Sequence, residues 1–149
     1  MEVVVCPSLA SRTPRVPDRT FTLAEAQALL DEVVRPLAER MVELCAAVEP
    51  LQREWRTIVI AIGSNGGGLD HERASELRES LEQAQAEVGE LVDEVLALGV
   101  QVKDPAQGLL DFPAVIDGQP ALLCWLVGEE RIEFWHTLEG GFAGRQPLP

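Results

Sequence analysis

No apolar run in this chain approaches the ~18–20 residues that a membrane-spanning helix needs, so an integral membrane helix is excluded at the outset. Basic residues are scarce: twelve Lys and Arg stand against twenty-five Asp and Glu, a net charge of −13. Repulsion from phosphate removes nucleic acid from the expected partners and disfavours anionic membrane surfaces. Cysteine is sparse as well. Cys6, Cys45 and Cys124 are odd in number, widely spaced and without a C-x-x-C pair. A disulfide scaffold is therefore not expected, and a reducing compartment fits better. Val3, Val4 and Val5 precede Cys6 with no basic segment ahead of them, so neither a signal peptide nor a lipoprotein fits, and the expected location is the cytoplasm.

What is present suits one folded domain with a small annex: 149 residues, 46% apolar and 25% charged. Residues 1–19 carry Pro7, Pro14 and Pro17 without any period and read as a disordered leader. Order begins at Thr22, where Glu25 three residues on makes a capping box and Phe21 can act as its staple. Apolar or small residues then recur at Leu30, Val34, Leu37, Met41, Leu44, Val48, Leu51, Trp55, Ile58 and Ile62. The alternating steps of four and three predict a heptad seam, interrupted by Pro36 and Pro50.

The glycine-rich stretch from Gly63 to Gly68 should end this helix. A second seam runs through Ala74, Leu77, Leu81, Ala84, Val88, Leu91, Val95 and Leu98, with Asp70 as the expected N-cap and Gly99 as the stop. The expectation for residues 20–99 is an antiparallel coiled-coil hairpin turning near 63–68. Its apolar stripe widens near Leu29–Leu37 and again near Leu91–Leu98, both at the end where the chain leaves for its last fifty residues. That surplus needs a cover, and residues 100–149 are the available one. At the opposite tip Trp55, Ile58, Val59, Ile60 and Ile62 favour self-association, with two hairpins forming a four-helix bundle. Between Leu69 and Gly99 nine acids face two arginines, a net of −7, but the acids sit off the seam with no inward Glu-x-x-His pairs. They read as a solvated face.

After Gly99 the pattern changes to strands. Asp117-Gly118 is a strong two-residue hairpin signal between Val115-Ile116 and the apolar run Ala121–Val127, and Gly128–Arg131 turns the chain into Ile132–His136. The expectation is a three-stranded antiparallel meander with an irregular tail from Thr137. Facing positions about Asp117-Gly118 total 235, which sets Asp111 opposite Cys124. A three-residue loop at 129–131 would set Cys124 opposite His136 and Trp125 opposite Trp135; a two-residue loop would turn His136 to the other face. In the first case Asp111, Cys124 and His136 form a row across three strands. Carboxylate, thiolate and imidazole are ligand types zinc accepts, and the same trio could support a nucleophilic cysteine. Against these stands the plain reading of a buried cysteine filling space beside a hydrogen-bonded histidine. Gly140–Arg145 likewise reads either as an anion seat of backbone amides and Arg145, or as a tight turn whose arginine bridges to an acid.

These residues also resemble the uncharacterised family known as domain of unknown function 2203. The resemblance covers residues 20–148 and lies in Phe21–Ala26, Leu29-Leu30, Val34-Arg35-Pro36, Gly108–Pro113, Leu123-Cys124-Trp125, Gly128-Glu129, Phe134-Trp135-His136 and Gly141–Arg145. Asp31 departs from it, where the family favours proline. The resemblance brings no activity, substrate or cofactor. It implies that Asp111, Glu129, His136 and Arg145 belong to a diagnostic pattern, which moves the expected site to the sheet.

The combined expectation is an α+β chain: a long helical hairpin with a small sheet docked at its open end. It acts as a non-enzymatic association module, a homodimer or partner-binding protein. A ligand pocket is expected from Asp111, Trp125, Glu129, Trp135, His136 and Arg145. The alternative is a metal- or anion-binding site, including a hydrolytic one, at Asp111, Cys124, His136 and Arg145. No motif specifies a cofactor or a reaction.

Overall fold

Thr22 and Glu25 start the first helix as their spacing predicts. In the computed structural model the Thr22 hydroxyl accepts from the Glu25 amide at 3.2 Å, and the Glu25 carboxylate accepts from the Thr22 amide at 2.8 Å. The structure describes residues 19–65 and 68–149. The expected leader, up to residue 18, and the middle of the expected turn, residues 66–67, lie outside the described residues. Phe21 is buried edge-on against Phe112 at 5.8 Å, and its amide donates to the Pro113 carbonyl at 2.7 Å. The helix start is therefore tied to the sheet from its first turn.

Helix α1 (Leu23–Leu29) passes through a π-helical turn (Leu30–Val34) into α2 (Arg35–Asn65). Pro36 explains the wide turn. It has no N–H to give, and its ring would clash with a carbonyl four residues back in a regular helix. The Arg35 amide bonds instead to Leu30, five residues back. Helix α2 continues through Gly63 to Asn65, and α3 (Gly68–Ala97) begins at Gly68. The first helix thus ends inside the glycine-rich stretch, as expected, and α3 begins two residues ahead of Asp70, the expected N-cap. Helical bonds on either side outweigh the modest propensity cost of a single glycine.

The ion pairs Arg40–Glu87 and Arg73–Glu54 connect the two helices. Their residue numbers give the same total, so α2 and α3 run antiparallel. Among the described residues, those buried on α2 are Ala38, Met41, Leu44, Cys45, Val48 and Gln52, and on α3 Ala74, Leu77, Leu81, Val88, Val92 and Val95. Just beyond Pro50 the buried position falls on Gln52 instead of Leu51, and the expected seam residues Trp55, Ile58 and Ile62 are only half-buried.

The sheet has five antiparallel strands in sequential order, not three: β1 (Gln101–Asp104), β2 (Leu109–Ile116), β3 (Gln119–Leu126), β4 (Phe134–Thr137) and β5 (Gln146–Pro147). The tail expected to be irregular contributes β5, paired with β4 through Phe134↔Pro147 and Trp135↔Gln146. Asp117 and Gly118 both adopt positive φ, 51° and 76°, the conformation a two-residue hairpin turn demands. The β2–β3 register follows, with Asp111 opposite Cys124.

Leu110, Phe112, Ala114, Leu123 and Trp125 form the helix-facing side of the sheet. They share one buried cluster with Phe21, Ala26, Leu30, Val34, Ala38, Met41, Val88, Val92 and Val95. The core thus lies where the helices meet the sheet, away from residue 65. Among the described residues, no helix is long and apolar enough to cross a membrane.

Candidate functional site

Alternation along β2 and β3 sends Asp111 and Cys124 to the side of the sheet opposite Phe112 and Trp125. On β4, Leu122 faces His136 and Cys124 faces Phe134. Neither expected loop occurs, because the connection spans residues 127–133. The pairing is shifted by two residues from the three-residue case, and an even shift keeps His136 on the face of Cys124. Asp111, Cys124 and His136 are brought together: one ligand atom from each lies within 4.8 Å of the others, and all three residues are buried.

The long connection has physical causes distant in sequence. Ile132 enters the core, and its amide donates to the Gln27 side chain at 2.9 Å. Arg35 donates to the carbonyls of Glu129 (3.2 Å) and Glu130 (2.9 Å), and to Asp31 at 2.7 Å. Its guanidinium also stacks over Trp125, 5.3 Å from the ring centroid. Trp125 Nε1 donates to the Glu129 carbonyl at 3.0 Å. Glu129 is consequently held by its backbone from the helix side, while its side chain accepts from the Leu126 amide (2.9 Å) and Arg145 (2.7 Å).

The hydrogen bonds of His136 define its ring. Nδ1 lies 2.7 Å from the Thr137 carbonyl, which only accepts, so Nδ1 carries a hydrogen. Nε2 lies 3.1 Å from both carboxylate oxygens of Asp111. Asp111 and His136 are 1% and 2% exposed, and Lys103 Nζ approaches Asp111 at 4.0 Å. Cys124 sits beside this pair. Burial, and next the charge of Asp111, push its thiol up to about 12, with Arg145 pulling weakly the other way.

The six residues expected to line one pocket fall into groups. Asp111 and His136 converge with Cys124. Glu129 and Arg145 form an adjacent ion pair, and Arg145 Nη2 also reaches the Cys124 carbonyl at 3.4 Å. Trp125 and Trp135 belong to the helix-facing core and do not join the polar group. Adjacent residues on a strand point opposite ways, so Trp125 could not share a face with Cys124. Lys103, Arg35, Phe134 and Phe142 enter the site's surroundings unannounced. Of these, Arg35, Phe134 and Phe142 fall in stretches that carry the family resemblance, and Lys103 does not.

A family model described as "Uncharacterized conserved protein (DUF2203)" matches residues 19–148. No curated protein and no solved structure matches the chain.

Proposed function

The chain belongs to the DUF2203 family of uncharacterised conserved proteins, and on that footing we propose that it binds a zinc-type metal ion at Asp111, Cys124 and His136. The observation that carries this reading is the convergence of one oxygen, one sulfur and one nitrogen ligand on a buried sheet face. The mixed set suits zinc and its neighbours, and the thiol argues against magnesium or calcium. The Thr137 carbonyl fixes the imidazole with Nδ1 protonated, which is how a ligating Nε2 is usually oriented from behind. The same arrangement aims Nε2 at a carboxylate, so either one proton or one cation must lie between them. Three protein ligands leave a fourth position for water or a bound molecule, the pattern of reactive and not of purely structural zinc sites. A reducing, cytoplasmic setting would keep Cys124 available as a thiol.

Cobalt(II) titration with elemental analysis tests the proposal. One equivalent of bound metal with a sulfur-to-cobalt absorption band is expected. Loss of that band in Cys124→Ser, with the fold retained by circular dichroism, completes the support. A folded wild-type chain that takes up neither cobalt nor zinc overturns it.

A second reading, self-association through the far end of the helices, is favoured by Ile60 and Val59, 70% and 43% exposed near the end of α2. Light scattering on wild type and Ile60→Glu tests it: a dimer that the substitution dissociates supports this reading, and a wild-type monomer overturns it.

A further inference from the structure

Arg145 is the most confined cation near the candidate metal position, its side chain only 13% exposed. Its guanidinium is flanked by the rings of Phe134 and Phe142, 4.2 and 4.9 Å from their centroids, which fixes its plane. Of its nitrogens, Nη2 serves Glu129 and the Cys124 carbonyl, whereas Nε is buried and has no hydrogen-bond partner. Two surface pairs in the same molecule show how this edge is normally used. Arg73 gives Nε and Nη2 to the two oxygens of Glu54, at 2.7 and 3.0 Å, and Arg40 gives both to Glu87, at 3.1 and 2.9 Å. Those arginines, although exposed, have their Nε–Nη2 edge filled. Arg145, where an unmet donor costs most, has it half empty.

Glu129 accounts for the half-filled edge. One of its oxygens, Oε2, is shared between Arg145 Nη2 and the Leu126 amide, and its backbone is anchored by Arg35 and Trp125. That anchoring prevents the carboxylate from sitting squarely on the guanidinium. We infer that the Nε–Nη2 edge of Arg145 is the seat of an oxyanion ligand, a carboxylate or phosphoryl group, for which the Glu129 side chain is a partial stand-in that the ligand displaces. The parallel N–H groups match such a group in two-point fashion. In a chain of net charge −13 an anion needs local cations, and Arg145 and Lys103 flank the Asp111–Cys124–His136 group. The inference deepens the metal reading by naming the class of molecule that would approach the fourth coordination position.

Inorganic phosphate and acetate, titrated by calorimetry into zinc-loaded and metal-free protein in parallel, test it. Saturable binding by the zinc-loaded wild type is expected. Glu129→Gln removes the competing charge and should tighten binding at least about tenfold, while Arg145→Lys keeps the charge, loses the planar edge and should weaken it by about as much. Absence of saturable binding in wild type and in folded Glu129→Gln overturns the inference, as does binding that Arg145→Lys leaves unchanged. The metal reading fails separately, through the cobalt titration, because the Arg145 edge is tested in the metal-free arm as well.

Discussion

The two faces of the sheet are built from the same strands, one residue out of phase, and they have opposite characters. One side presents Leu110, Phe112, Ala114, Leu123 and Trp125 to the helices and is held chiefly by burial. The other presents Asp111, Cys124 and His136, equally buried but held by directed bonds. The difference teaches that burial by itself does not distinguish a core from a site. What distinguishes them is whether each buried group is satisfied by volume or by a partner of defined chemistry.

The comparison breaks most violently on the apolar side. Trp125→Ala should cost about 4 kcal/mol in chemical denaturation, through lost transfer energy and the cavity left behind. On the polar side, Asp111→Asn should cost about 2–3 kcal/mol, because His136 keeps its burial and loses its charged acceptor. Unlike the tryptophan change, it should also abolish cobalt uptake. Equal metal uptake by folded Asp111→Asn would erase the distinction between the two faces.

Metal addition sharpens the contrast further. At a free zinc concentration one hundred times its dissociation constant, the wild-type chain should gain about 2.7 kcal/mol, and Cys124→Ser markedly less. Chelation should reverse the gain in a thermal melt. The smallest effect belongs to the helix start: Thr22→Ala should cost about 1 kcal/mol and leave metal binding untouched. The bonds from Thr22, its backbone amide foremost, hold the Glu25 carboxyl below its usual range. A carboxyl depressed in the folded state stabilises above its unfolded value and stops doing so as pH falls through the folded one. A stability profile of Glu25→Gln that converges with wild type in acid would show this.

Much of the fold was legible because it is local. Thr22 and Glu25 announce a cap, Asp117-Gly118 announces a turn, and the turn fixes Asp111 against Cys124 without further information. The face of His136 was legible in parity only: an even displacement preserves it, whatever the loop length. The loop length itself was not legible. It is decided by Gln27, Arg35 and Ile132 acting across more than ninety residues, and no neighbouring residue signals that. Strand β5 was hidden for a related reason, since two residues, one of them Pro147, carry no periodicity. Gly108 shows the local limit from the other side. Its φ of +67° favours glycine, and the Val127 side chain occupies the space that a Cβ at this position would need, although in sequence it is one glycine among twelve.

The π-helical turn ahead of Pro36 acts as a register lock. One residue more than a regular turn is accommodated there, so everything before it is rotated by about 100° relative to α2. Were the chain to relax into an unbroken α-helix, Phe21 would swing away from Phe112 and Gln27 from Ile132, and the β3–β4 connection would lose one of its two moorings. A ring that cannot donate a hydrogen bond at position 36 thereby dictates how a stretch of backbone nearly one hundred residues downstream is held.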